Sequence, residues 1–258
     1  MGEKWCAAYL SGTGNTEHCI KKLVCCLDAS APIIAIEDQA AATVIKEFDF
    51  IVLGYPVQFS NAPKMVRDFI CRHASIWNGK KVLCVATMGA FSGDGAGCSA
   101  RLLKKSGAIV LGGLHLKMPD SVCDSKLLKK SREENRKIIQ QAEEKIERTV
   151  NKIKRGKFPQ EGLNLFSHLA GLFGQRLWFY GKTKKYSDRL KINHTLCIGC
   201  GTCTNLCPMS NIEMKDHKAI AKGKCTMCYR CISKCPTRAI TLIGKEVVEQ
   251  YRLENFIT

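Results

Sequence analysis

Eight of the chain's 16 cysteines fall into two runs of identical spacing. Residues 197–208 read CIGCGTCTNLCP and residues 225–236 read CTMCYRCISKCP, each cysteine of the first run having its counterpart 28 residues later. Both follow C-x2-C-x2-C-x3-C-P, a spacing suited to iron-sulfur clusters. Three cysteines two residues apart let one loop wrap three corners of a cubane, while the fourth, set off by proline, leads away to the other cluster. The spacing therefore predicts two [4Fe-4S] clusters, one on Cys197, Cys200, Cys203 and Cys235, the other on Cys225, Cys228, Cys231 and Cys207. Structural zinc, the alternative, prefers paired C-x2-C knuckles on longer loops.

On these motifs, residues 191–243 resemble a bacterial two-cluster ferredoxin, about a fifth of the chain. The resemblance implies one-electron transfer at low potential. With cysteine at all eight ligand positions no iron keeps an open site, so the clusters are expected to conduct electrons rather than act as Lewis acids.

A second chemical signal lies near the other end, where Ser11, Gly12, Thr13, Gly14, Asn15 and Thr16 follow a short apolar run and open into a helical pattern. Two glycines allow a tight turn, and hydroxyls with free N–H groups at a helix start make an anion site. The loop lacks the Gly-Lys-Ser/Thr of a Walker loop and is not G-x-G-x-x-G, so one monophosphate held by neutral donors fits it best.

The elements around this loop alternate. Near-continuous apolar segments at Trp5–Leu10, Ile33–Ile36, Phe50–Leu53, Val82–Ala86 and Ile109–Leu116 read as strands buried on both faces. Helical stretches at Thr16–Leu27, Asp38–Glu47, Lys64–His73 and Ser99–Ser106 separate them, a pattern of parallel α/β type. A long helix follows. Ser131 and Glu134 have capping-box spacing, and Ile138, Ala142, Ile146, Val150 and Ile153 form one apolar stripe.

With the phosphate loop in place, residues 1–155 resemble flavodoxins. The resemblance implies a doubly wound, five-stranded parallel sheet of order 2-1-3-4-5 holding FMN at its switch point. It also implies two further FMN loops. After the third strand stand Tyr55, Pro56, Val57, Gln58 and Phe59, where Tyr55 or Phe59 is expected to cover the flavin ring. After the fourth stand Thr87, Met88, Gly89, Ala90, Phe91, Gly93 and Asp94, expected at the ring edge. The sequence departs from flavodoxins in having no glycine between Tyr55 and Pro63 and in being slightly basic here.

The whole chain thus resembles the flavodoxin-ferredoxin fusions of strict anaerobes, the flavoferredoxins. The expected architecture is α/β, with a small α+β ferredoxin-like domain added. Its parts are an FMN-binding domain over 1–155, a partly helical connector over 156–190, the ferredoxin domain over 191–243 and a tail over 244–258. The connector's Leu, Phe and Trp content predicts packing between the domains; Trp178, Phe179 and Tyr180 before Lys182, Lys184 and Lys185 offer a membrane-surface reading instead.

Composition bounds the rest. With 258 residues, 45% apolar, the chain suits two folded domains. No apolar stretch approaches the roughly 18 residues of a membrane span, and no signal-peptide pattern opens the sequence, so a cytoplasmic protein with reduced thiols is expected. The remaining cysteines, Cys6, Cys19, Cys25, Cys26, Cys71, Cys84, Cys98 and Cys123, read as core thiols. The formal charge of +17 is concentrated in residues 121–190, with 17 basic against 8 acidic side chains. That bias reads as a solvated helix face rather than a nucleic-acid surface. It also suits an acidic redox partner such as a ferredoxin or an oxidoreductase.

Two functions follow. In one, the chain is an electron-transfer protein passing electrons between two [4Fe-4S] clusters and FMN, coupling a low-potential ferredoxin-type donor to another redox partner. In the other it is a ferredoxin-dependent FMN reductase acting on a small molecule such as a quinone or disulfide, which calls for a pocket walled by Phe59, Phe91 and the connector aromatics. No catalytic acid-base or nucleophile constellation stands out, and the six histidines read as structural or solvated.

Overall fold

In the computed structural model, which describes residues 4–178 and 189–257, five parallel strands run in the order β2-β1-β3-β4-β5. They are β1 (Trp5–Tyr9), β2 (Ile33–Ala35), β3 (Phe50–Pro56), β4 (Lys81–Met88) and β5 (Ile109–Lys117). The central three are buried along nearly their whole length, which is why they are apolar without alternation. Helices α1 (Asn15–Leu27) and α5 (Arg132–Ile153) cover one face; α2 (Ala41–Lys46), α3 (Lys64–Arg72) and α4 (Gly95–Lys105) cover the other. Helix α1 approaches β3 so closely that a β-carbon on Gly54 would strike Ile20.

The capping box forms as the sequence predicts: Glu134 N–H donates to Ser131 Oγ at 3.1 Å and Ser131 N–H to Glu134 Oε2 at 2.8 Å. Two helices start elsewhere than expected. α2 begins only at Ala41, because Asp38 Oδ1 accepts from Ala40 N–H at 2.8 Å in a turn. α4 begins four residues early, at Gly95.

The C-terminal domain is built on the repeat. Each run places a short helix at its third cysteine, Thr202–Leu206 and Arg230–Lys234. Two antiparallel ribbons pair Lys191–Ile192 with Ile240–Thr241 and Ile212–Lys215 with Lys218–Ala221. Its core is continuous with that under α1 and α5: Trp5, Met118 and Ile146 belong to the same apolar cluster as Ile212, Tyr229 and Tyr251.

Three cysteines expected in the core are instead exposed. Cys25 and Cys26 end α1, and Cys71 lies on the outer side of α3, off the stripe of Val66, Phe69 and Ile70. The connector also departs from expectation. Helix α6 (Leu165–Gly171) continues through wider, π-type turns over Leu172–Arg176 and lies against the loop before α4. His168 Nδ1 and Asp94 Oδ2 are 2.8 Å apart, and Gly171 packs on Gly93 and Asp94. Its small and polar residues face inward, so Leu165, Phe166, Leu169, Phe173, Leu177 and Trp178 are exposed rather than packed between domains. The Phe179–Lys185 part of the membrane reading lies outside the described residues.

Residues beyond 243 strap the two domains. Tyr251 OH donates to Asn15 Oδ1 at 2.6 Å, its carbonyl accepts from Ser233 Oγ, and Gln250 Nε2 donates to the Ile232 and Cys235 carbonyls. Among the described residues no helix is long and apolar enough to cross a membrane.

Candidate functional site: a loop-lined cavity beside two cysteine quartets

A cavity of about 400 Å³ opens at the C-terminal edge of the sheet, the place where strand order reverses between β1 and β3. Ser11, Gly12, Thr13, Asn15 and Thr16 line it; Gly14 does not, and instead turns the chain into α1 with φ of +97°. Two of the loop side chains are already engaged. Thr16 Oγ1 shares a 2.7 Å hydrogen bond with Thr87 Oγ1, and Asn15 Nδ2 donates to the Pro119 carbonyl at 2.8 Å. Ser11 Oγ is buried with no partner among the described residues, and α1 has no side-chain cap over its first N–H groups. An orphaned hydroxyl and free N–H donors at a 13-residue helix start are what a phosphate monoester needs.

Pro56, Val57, Gln58 and Phe59 also line the cavity, as do Thr87, Met88, Gly89, Ala90 and Phe91. Tyr55 does not. It is fully buried on the opposite face, its OH donating to the Gly95 carbonyl at 2.7 Å and 2.5 Å from Ser99 Oγ, so of the two aromatics in that loop only Phe59 reaches the cavity. Gly93 and Asp94 lie away from it as well. The buried Asp94 carboxylate pairs with Arg101 at 2.7 Å and with His168, and so anchors the connector.

Two parts of the wall were not foreseen. One is Met118–Val122, with Leu128 beyond it, which follows β5 at the same sheet edge; that position is the available signal. Its Asp120 carboxyl is pushed above the usual range by burial, against a hydrogen bond from Val122 N–H and the charge of Lys129. The other is Met227, Cys228, Tyr229 and Ile243 of the C-terminal domain. No feature of either half alone signals which face of one meets the other.

Several bonds fix that meeting. Asp124 Oδ2 accepts N–H groups of Leu242, Ile243 and Gly244 at 2.6, 2.9 and 3.1 Å, and its Oδ1 accepts Tyr229 OH at 2.9 Å. Arg230 Nη2 donates to the Ser11 carbonyl at 2.6 Å and to Glu37 Oε1 at 2.5 Å. Gln58 Nε2 donates to the Thr226 carbonyl at 2.8 Å.

Cys197, Cys200, Cys203 and Cys235 line one cavity with Ile192, Ile198 and Met214, although Cys235 comes from the second run. The other four also gather. Burial pushes the Cys225 thiol up to about 11, with Cys228 and Cys207 adding repulsion, and Cys231 is raised by burial and by the same neighbours. Backbone N–H groups of Asn211, Met227 and Ala239 each donate at 3.3 Å to the sulfurs of Cys207, Cys225 and Cys235. Among the described residues no three His, Cys, Asp or Glu side chains converge on a point where one metal ion would sit. A cubane is held at its corners, each sulfur on a separate iron, so a quartet around a volume fits it.

The family described as flavodoxin domain matches residues 7–155, and the 4Fe-4S dicluster domain matches residues 189–241. A ferredoxin of Methanothermococcus thermolithotrophicus is 38% identical over 55 residues, 20% of this chain and 92% of its own. A ferredoxin of Pyrobaculum islandicum is 30% identical over 64 residues, 24% of this chain and 60% of its own. Two Escherichia coli relatives are matched over only 45% and 11% of their lengths. Among solved structures, the two-electron reduced flavodoxin of Megasphaera elsdenii is 26% identical, with a TM-score of 0.40, over 55% of this chain and 98% of its own. With a strand order of 2-1-3-4-5, a phosphate-type loop at its switch point and a family match over more than half its length, the chain belongs to the flavodoxin-domain family and carries a 4Fe-4S dicluster domain behind it.

Proposed function

We propose that this protein is an internal electron relay, joining one FMN to two [4Fe-4S] clusters so that a one-electron carrier on one side is coupled to a redox partner on the other. The flavodoxin and dicluster domains support electron transfer as the class of function. The observation that carries the finer reading is the position of Cys228, which belongs to the second cysteine quartet and also walls the loop-lined cavity.

The residues present fit the groups. Ser11 Oγ, Thr13 and the free N–H groups of α1 would hold the phosphate, while Phe59, Met88, Phe91, Met227 and Tyr229 line the space left for a ring. The FMN would supply exchange between one- and two-electron chemistry, and the clusters single electrons. The chain itself orients these sites and excludes water. Its bonds at Asp124, Arg230 and Tyr251 hold the second cysteine run against the phosphate loop.

This reading takes residues 1–155 and 191–243 as the two redox domains and the cytoplasm as their compartment. The reductase alternative calls for a pocket walled by Phe59, Phe91 and the connector aromatics; Phe59 and Phe91 line the cavity, Phe166, Phe173 and Trp178 do not, and Phe179, Tyr180 and Tyr186 lie outside the described residues. Anaerobic purification with iron, sulfide and flavin quantified on one sample tests the proposal. It expects about eight irons and one FMN per chain; zinc in place of iron, or iron without flavin, overturns it.

A further inference from the structure

The two cysteine quartets are not equally accessible. The second run lies against the phosphate loop, with Cys228 in the cavity wall and Arg230 spent on Glu37 and Ser11. The first quartet, Cys197, Cys200, Cys203 and Cys235, reaches the surface. Cys200 is exposed, and Leu196, Ile198 and Met214 leave 47%, 66% and 38% of their surface open around it. Beside this patch runs an open groove of about 650 Å³ that shares Ile192, Thr237 and Ala239 with the quartet's cavity. Lys191, Arg238 and Lys245 line it against the single acid Glu246, and none of the three makes an ion pair or side-chain hydrogen bond among the described residues.

We infer that this groove, with the apolar patch at its end, is the docking port for a small acidic one-electron carrier protein. This rests on the reading of the first quartet as a cluster site. Three unneutralised cations complement a carboxylate-rich surface, and such complementarity steers weak, fast complexes. The apolar patch supplies the dry contact that brings two redox centres close. A second copy of this chain is disfavoured by its formal charge of +17. On docking, the carrier gives up one electron and the chain accepts it; no bond is made and no proton moves. The location differs from what the sequence charge suggests, since the largest basic excess lies in residues 121–190.

The test is a binding titration of the full-length, anaerobically purified chain against an acidic two-cluster ferredoxin, followed by isothermal calorimetry at low and at roughly physiological salt. The proposal expects measurable affinity that falls with salt. It expects Lys191→Glu with Lys245→Glu to weaken binding at low salt by about tenfold or more and to flatten the salt dependence, and Leu196→Glu, in the groove but not in the quartet's cavity, to weaken it at both salts. Iron content and the cluster signals in electron paramagnetic resonance are expected to stay unchanged, since these side chains are exposed. Unchanged affinity in these variants overturns the port, as does loss of binding on Arg136→Glu with Lys137→Glu on α5, or binding to anionic phosphatidylserine vesicles with none to the ferredoxin. Absence of iron from the wild-type chain is a separate result, which removes the cluster reading itself.

Discussion

The carbonyl oxygen of Cys228 lies directly over the α-carbon of Gly12, leaving no room for a β-carbon there. One residue of the loop that opens α1 and one cysteine of the C-terminal domain are thus fitted to each other across 216 positions of sequence. Gly12→Ala should force the domains apart at this point. The expected cost is about 1–3 kcal/mol, as for other overpacked contacts, read from urea unfolding, together with weaker flavin retention on gel filtration.

Asp124 makes a different kind of joint. Its carboxylate satisfies three backbone N–H groups and one phenol, so Asp124→Ala strands four donors at a buried junction. We expect a loss of about 3 kcal/mol or more. Urea melts should then show the two domains unfolding separately, with the wild type expected to unfold in one transition.

Ser11 separates folding from binding. Because its hydroxyl has no partner among the described residues, Ser11→Ala should leave the stability of the flavin-free chain within about 0.5 kcal/mol of wild type. FMN affinity should fall about tenfold, one hydrogen bond to a charged oxygen being worth about 1.5 kcal/mol or more. Fluorescence titration of the flavin-free chain with FMN measures both the constant and the contrast.

Asp120 carries a pH dependence. Burial raises its carboxyl above the unfolded value of about 3.9. A group raised in the folded state contributes its full stability below the unfolded value and loses it as pH rises through the folded one. Asp120→Asn stays neutral and can still accept from Val122 N–H. Its stability relative to wild type should therefore increase as pH rises from about 4 and level off once the pH has passed the raised value of the folded carboxyl, measured as paired urea melts.

The cysteine runs and the phosphate loop could be read from sequence because each is a local pattern whose chemistry fixes its spacing. The strand order was available through the resemblance those residues support. Side-chain direction was harder. Gly54 and Tyr55 are neighbours on β3, and alternation along the strand turns Gly54 toward Ile20 of α1 and Tyr55 toward Ser99 of α4, so an aromatic in the expected loop points away from the cavity. Asp94 stands where a cofactor contact is expected, yet its partners Arg101 and His168 are two helix turns and 74 residues away. In the connector, apolar content does not mean inward packing. The glycine and histidine of α6 make the contacts, and its leucines and phenylalanines are left outside.

The hydrogen bond from Tyr251 to Asn15 has a bearing on how the protein is made. Asn15 leaves the ribosome 236 residues before Tyr251, and until that tyrosine emerges its side chain has only the Pro119 carbonyl of its two partners. The second domain's share of the cavity wall, Met227 to Tyr229 and Ile243, is likewise among the later residues to be synthesised. A nascent flavodoxin domain therefore lacks the four residues that close one side of its cavity. On the relay reading, a flavin bound before residues 227–243 are made would face an open side, which closes only when the second domain folds against the loop.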